Sequence, residues 1–490
     1  MLRFLTCPPT NERYAAELHG AHAFGADSVP LRAEFSSANH TIRCDPRANT
    51  PAGLSLLWPA KNCGVYQLET TRLPALDKPY HLHVELARHR LMRISQKREE
   101  WGLFDYPGME DIANEIDRAR DLFITALEKI DDPAAAARAA DEALALSLEA
   151  SERMCRFHAT VFLARRQQAG GFAKPFLGVA APHGPAPAAV AKRLTEAFDF
   201  IRVPFVWREI QPKEQETRFE STDEWIKLAN SAKLGVRGGP LLNFGVRFVP
   251  DWMYIWENDH ESILEYSREH VRRTVQRYAS QINSWVVAGG LHADSVFSFS
   301  FEQIMELTRM AAQVTKQVAP RAQVVLDITQ PFGEYYARNQ RTIPPLLYAD
   351  MAVQSGIPFD AFGLQFVFGL DSDGYHLRDF LQISALIDRL ANLGKPIHIT
   401  AVGVPSTPSI GLGGYWKTPW SEATQADWLV TLSEIALSKP YVENICLHLL
   451  ADTPHGVIPS AGVLREDLAP KPAFNKLVQF RKRLQSESAK

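Results

Sequence analysis

Seven acidic residues follow short apolar runs, where a rigid backbone can hold a side chain for acid–base or nucleophilic work: Glu209, Asp251, Asp294, Asp327, Asp371, Asp373 and Asp452. Asp327 lies at the end of the run Val324–Ile328, and partial burial there would raise its pKa into a useful range. A carboxylate satisfied by loop backbone amides is the plainer reading and the preferred one. Glu209 adjoins Arg208 and reads first as half of an ion pair on the rim. Asp371-Ser372-Asp373-Gly374 has the acids of a calcium loop without its closing bidentate Glu, so it reads as a turn. His292 and His448 are the histidines best placed for proton transfer or metal ligation. A lone histidine at a strand end is nevertheless more often a structural residue.

Other chemistries lack their residues. His81 and His83 stand two apart on an expected helix and do not share a face. There is no His-Glu-x-x-His, no Gly-x-Ser-x-Gly and no Cys-x-x-Cys, and the five cysteines are scattered. Gly411-x-Gly413-Gly414 follows no strand and reads as a flexible loop rather than a phosphate cradle. No metal or cofactor is expected. Aromatic residues gather twice: Trp207, Trp252, Tyr254 and Trp256, then Tyr415, Trp416 and Trp420. Their faces suit stacking on sugars, and equally suit plugging a space left by missing polar groups.

The elements that position these residues show two rhythms. Residues 1–76 alternate around turn residues such as Ser36-Ser37-Ala38-Asn39 and Pro59-Ala60-Lys61-Asn62, which predicts paired strands. Helical spacing begins at Asp77-Lys78-Pro79, with Asp77 as cap, and continues through Met109 to Ile130 and from Asp132-Pro133 to about Gln168. The basic stretch Arg88 to Arg98 reads as a solvated helix face. These helices are amphipathic and must bury a face on the remainder of the chain or on another subunit.

From residue 172 onward, eight short apolar runs alternate with amphipathic stretches: Phe176–Ala181, Phe200–Phe205, Val236–Leu242, Trp285–Ala288, Val324–Ile328, Ala361–Val367, Ile397–Val402 and Asn444–Leu449. Apolar strands alternating with helices predict a parallel sheet covered on its outside. Eight repeats in that length predict an α/β fold of the (β/α)8 TIM-barrel type. The expected organisation is 1–76 β-rich, 77–171 helical and 172–490 barrel, with chemistry at the C-terminal strand ends.

Composition narrows the function. In 490 residues, 53 Lys and Arg nearly balance 56 Asp and Glu, which argues against a nucleic-acid binder. No apolar run is long enough to span a membrane, and two prolines interrupt the N-terminus before any signal-peptide core, so a cytoplasmic protein is expected.

The residues at the strand ends resemble glycoside hydrolase family 10, the retaining xylanases. The resembling pieces run in order: Trp207 and Pro212, Gly238 with Pro250 and Trp252, Trp285-Val286-Val287, Phe362-Gly363-Leu364-Gln365, Lys395 to Thr400, and Leu468 to Phe474. The resemblance covers about residues 176–485 and implies a barrel with its cleft at the mouth. It also marks departures. The family ends its fourth strand with Asn-Glu, where this chain has Gly289 and Gly290, and its seventh with Thr-Glu-Leu, where this chain has Thr400-Ala401-Val402. A retaining glycosidase needs two carboxyl groups roughly 5–5.5 Å apart, one as acid/base and one as nucleophile. Gly290 and Ala401 supply neither. Val206, Gly239, Asn243, Val367 and His448 replace further polar or aromatic residues of the family's site.

The expectation is therefore a catalytically degenerate glycosidase, with Glu209 and Asp327 as fallback carboxylates. Trp207, Trp252, Asn243, Gln365, Trp416 and His448 are its expected binding residues, and an oligosaccharide or a protein its partner. The alternatives are an active glycoside hydrolase with relocated carboxylates, and an assembly protein that forms a homo-oligomer through its N-terminal helices.

Overall fold

In the computed structural model, the described residues are 1–7, 12–172, 174–184, 186, 188–408, 412–454 and 456–486. The eight apolar runs form eight parallel strands: Leu177–Ala180, Phe200–Val203, Gly235–Gly238, Ser284–Gly289, Gln323–Ile328, Ala361–Val367, Ile397–Gly403 and Val442–Leu447. They close into a barrel in which the eighth strand pairs with the first, Cys446 opposite Gly178. These strands are mostly apolar on both faces because one side fills the interior and the other meets the surrounding helices. Reciprocal capping boxes start two of those helices, Ser300 with Gln303 and Asp379 with Gln382, fixing where the fourth and sixth loops end. The chain is a (β/α)8 TIM barrel preceded by a β-rich segment and a helical region.

The preceding segment builds two sheets. One takes the strands Leu2–Leu5, Ala33–Ala38, Thr41–Pro46 and Tyr80–His81. The other takes His22–Phe24, Pro30–Leu31, Gly53–Ala60 and Gly64–Glu69, and its edge is completed by Tyr415–Trp416 from the loop after the seventh barrel strand. Tyr415 pairs with Val65 and Trp416 with Gly64.

Two local expectations are corrected here. The helix expected behind Asp77 starts instead at Leu82 behind His81 and runs to Glu100, because Tyr80–His81 pairs with Phe4–Leu5 as a short strand. Part of the basic stretch faces inward as well. Arg90 and Lys97 are buried and pair with Asp379 and Asp388 of the helix Phe380–Ala391 and its cap. A docked helix face can carry cations when the opposing surface supplies carboxylates. Burial pushes Asp388 up, but Lys439 and Lys97 outweigh it and hold its pKa at about 2.

The helix Pro133–Gln168 packs against Glu110–Glu128 and against the barrel helix Glu422–Ser438. Asp132 caps it by accepting from Ala135 N. Near its other end, Arg166 donates to the carbonyls of Leu437, Lys439 and Val442 at 2.9, 3.0 and 2.9 Å, satisfying acceptors at the end of Glu422–Ser438. The amphipathic faces thus find cover within the chain. One hydrophobic core runs from Leu2 and Phe4 through Trp58, Leu86 and Ala143 to Leu484. No described helix is long and apolar enough to cross a membrane.

A shared core predicts shared unfolding. Trp58 is fully buried and lies edge-on to His83 at 5.3 Å, joining the second sheet to the helix Leu82–Glu100. Trp58→Ala should cost about 3–5 kcal/mol. Calorimetry should show a single transition displaced as a whole, whereas two transitions with only one displaced would contradict the shared core.

Candidate functional site

At the barrel mouth the fourth strand ends at Gly289 and the chain turns at Gly290 with φ +75°. Backbone bonds from Ala293 N and Asp294 N to Gly290 O, at 2.9 and 3.0 Å, hold that turn. A Cβ on Gly290 would stand 3.2 Å from Thr329 Oγ1, and one on Gly289 2.9 Å from Pro240 Cβ. A long side chain at Gly290 therefore meets both a left-handed backbone and a close neighbour.

Ala401 lies opposite Gln365 in the seventh strand and is 1% exposed. Val367, Ile458 and Ala461 pack around it, with Leu370 and Tyr375 at the margin. The segment carrying Ile458 and Ala461 is fastened down. Lys471 Nζ donates to Asp452 Oδ1, Ser406 Oγ and Gly462 O at 2.7, 2.8 and 2.9 Å, and Ser406 Oγ donates to Ser460 O at 2.8 Å. An apolar cap occupies the place beside the seventh strand end.

The remaining carboxylates are dispersed. Asp327 is 1% exposed and accepts from Thr400 Oγ1 and Gln365 Nε2. Its partners are side chains of neighbouring strands rather than the expected loop amides, because it points into the barrel. Burial raises its pKa, with Thr400, Gln365 and the charge of Arg202 acting against that rise. Glu209 does not pair with Arg208. The one-turn helix Trp207–Ile210 points adjacent residues apart, so Arg208 reaches Asp251 at 2.6 Å while exposed Glu209 lies 3.7 Å from His183 Nδ1.

Asp371 joins His19 and His376 at 3.0 and 3.3 Å, tying the sixth loop to the N-terminal segment. Asp373 pairs with Arg338 at 3.1 Å and Asp452 with Lys471 at 2.7 Å. Asp294 is exposed near the mouth, and burial of part of its carboxyl raises its pKa. Gly411 lies outside the described residues.

The other expected site residues divide into two groups. Asn243, Gln365 and His448 are partly exposed. Asn243 Oδ1 accepts from Gly245 N at 2.8 Å, and its Nδ2 stands 3.9 Å from the Cβ positions of Gly289 and Gly290. His448 Nδ1 has no hydrogen-bond partner among the described residues, and burial, reinforced by the charge of Arg202, lowers its pKa to about 4. Trp252 is half-buried, donates to Gln211 O at 2.8 Å and meets Trp207 edge-on at 6.2 Å.

Trp207 and Trp416 are instead buried. Trp207 stacks on His270 at 4.4 Å, and Trp416 donates to Glu152 Oε2 at 2.8 Å from the edge of the second sheet. Trp420 is likewise buried and donates to Gly414 O. His292 is fully buried, stacks on Tyr348 at 4.7 Å and bonds Thr329 O at 3.1 Å, a structural role.

The sequence reading passed over Arg202. The signal was present as a single charge inside the apolar run Phe200-Ile201-Arg202-Val203. Its Nη1 lies 3.5 Å from Gly239 O at the mouth end of the third strand, and its Nε is buried without a hydrogen-bond partner among the described residues.

The closed parallel barrel of eight strands with alternating helices defines the fold class, a (β/α)8 TIM barrel. The glycosyl hydrolase family 10 profile matches residues 203–480, more than half of the chain, and the chain belongs to that family. Among curated proteins it is similar to endo-1,4-beta-xylanase B of Thermotoga neapolitana, 24% identical over 243 residues, which cover 49% of this chain and 65% of that protein. It is also similar to endo-1,4-beta-xylanase B of Paenibacillus barcinonensis, 22% identical over 204 residues, covering 40% of this chain and 58% of that protein. The chain thus spans less than two thirds of these relatives. Among solved structures, native xylanase 10B from Thermotoga maritima aligns with a TM-score of 0.47 at 18% identity, covering 66% of this chain and 98% of that one. The family 10 structure from Paenibacillus barcinonensis gives 0.48 at 19% identity, with 65% and 97% covered.

Two predictions follow from this geometry. Gly290→Glu should cost roughly 1–3 kcal/mol, because a non-glycine residue must adopt the left-handed conformation there; urea unfolding reads this, and an unchanged midpoint would show that the turn adapts freely. Asp327 has a raised folded-state pKa, so its contribution to stability is complete below the unfolded carboxylate value and declines as pH rises through the folded one. Asp327→Asn should therefore gain stability relative to the parent between pH 4 and pH 8. A constant difference across that range would show that Asp327 carries no such cost.

Proposed function

We propose that this chain is a family 10 barrel that has lost glycoside cleavage and binds carbohydrate at the barrel mouth. One observation carries the reading: the two strand ends where the family resemblance puts catalytic glutamates hold Gly290 and Ala401, and Ala401 lies sealed beneath Ile458 and Ala461. Retaining chemistry requires a proton donor and a nucleophile facing each other across the bond. Asp327 is a poor substitute, since both its oxygens are taken up by Thr400 and Gln365. Glu209 stands on the exposed rim beside His183. Asn243, Gln365, His448 and Trp252 remain partly exposed around the mouth and supply amide, imidazole and aromatic surface of the kind that binds sugars. The five cysteines are all free, which fits a reducing compartment, and we place the protein in the cytoplasm.

Xylo-oligosaccharides and aryl xylosides test the reading between pH 4 and 8. Turnover should not exceed that of a Glu209→Ala, Asp327→Ala control, while calorimetry should detect binding that Trp252→Ala weakens roughly five- to tenfold, the loss of about one aromatic contact. Turnover clearly above the control, or no binding to any oligosaccharide in a neutral and acidic panel, would overturn it.

A further inference from the structure

We propose that the barrel mouth recognises an anionic sugar, one that bears a carboxylate, through the guanidinium of Arg202. The inference rests on the carbohydrate-binding reading above and names the ligand class for that site.

Arg202 and Phe200 alternate onto the same face of the second strand. That face is the barrel interior: Gly238 of the third strand turns toward Phe205, which meets Tyr278 of the outer helix His260–Tyr278, so its neighbour Arg237, the register partner of Arg202, faces inward. Arg237 turns its guanidinium back toward the N-terminal end, covering the Phe200 ring at 3.6 Å from its centroid and donating to Pro175 O at 3.3 Å. The Phe200 ring and the Arg237 guanidinium thus form a floor. Arg202 lies two residues nearer the mouth than Phe200, with Nη1 turned to Gly239 O.

The charge of Arg202 is not neutralised by an ion pair among the described residues. Among the described residues its buried Nε has no hydrogen-bond partner, and His448 Nδ1 nearby is in the same condition. Asp327 feels the charge of Arg202, but its oxygens are occupied by Thr400 and Gln365 and its burial favours the neutral acid. A buried guanidinium edge without a counter-charge is costly, and an anion that pairs with it offsets that cost. The Nε edge of a guanidinium presents two parallel donors that match the two oxygens of a carboxylate. Gln365, His448 and Asn243, partly exposed around the same mouth, offer groups for ring hydroxyls, which favours a sugar acid over a bare anion.

Titration calorimetry of the full chain with D-glucuronate, D-galacturonate, D-xylose, xylo-oligosaccharides and acetate tests this. A uronate should bind at least tenfold more tightly than D-xylose and acetate, and Arg202→Gln should remove that advantage while leaving neutral-sugar affinity within twofold. Arg202→Lys should retain part of it. If Arg202→Gln fails to fold by circular dichroism, the parent protein still decides: uronate affinity should fall as sodium chloride rises, and D-xylose affinity should not. Neutral oligosaccharides binding in preference to uronates would overturn the inference and leave the carbohydrate reading standing, whereas acetate binding as tightly as a uronate would overturn the assignment of a sugar. Uronate binding that is indifferent to both Arg202→Gln and salt would also overturn it. Absence of binding by every sugar would overturn both readings.

Discussion

The closed ladder of hydrogen bonds around eight parallel strands fixes where each strand-end side chain points, and the rest of the molecule is built on that constraint. In a barrel whose eighth strand pairs with its first, no strand can slide to bring a distant carboxylate into place. Chemistry at the mouth therefore depends on residue type at a few set positions. Gly290 turns the fourth strand end through a left-handed conformation against Thr329, and Ala401 forms part of an apolar cluster with Val367, Ile458 and Ala461. Lys471, buried among Asp452, Ser406 and Gly462, keeps the overlying segment in place. Gly290 and Ala401 are thus both held in packing: one by its left-handed turn, the other within an apolar cluster.

The first 171 residues hold the sixth and seventh loops from one side of the mouth. Asp371 of the sixth loop is held by His19, Arg378 at that loop's end by Glu69 and Glu334, and the seventh loop adds Tyr415–Trp416 to the second sheet. Buried ion pairs contribute little net stability against apolar alternatives, but a pair with one partner removed is strongly destabilising, so such contacts fix one docking geometry. Aromatic residues of the seventh loop serve that docking, which is why Trp416 and Trp420 are buried instead of facing the mouth.

Much of this was legible in the sequence. The eight apolar runs became the eight barrel strands, since a strand covered on both faces leaves a near-continuous apolar signature. The 36-residue helix opened by Asp132-Pro133 was legible from its cap and alanine spacing. What failed was long-range. The partner of Arg208 is Asp251 rather than Glu209, and Arg90 and Lys97 face acids nearly three hundred residues away. Local pattern could not reveal these pairings, nor that a two-residue piece of a barrel loop would join an N-terminal sheet. Of the candidate site, Asn243, Gln365, His448 and Trp252 reached partly exposed positions, while Trp207 and Trp416 entered the interior. Arg202 went unnoticed because an apolar run was read by its majority, although a lone charge within such a run is itself a signal.

Retaining glycosidases pass through a glycosyl group bound covalently to the nucleophile, so trapping that species is the most direct test of lost cleavage. Intact-protein mass spectrometry after prolonged incubation with an activated 2-deoxy-2-fluoro-xylobioside should show only the unmodified chain. A stoichiometric mass increase of one fluoroglycosyl unit, mapped to any carboxylate at the barrel mouth, would contradict the account.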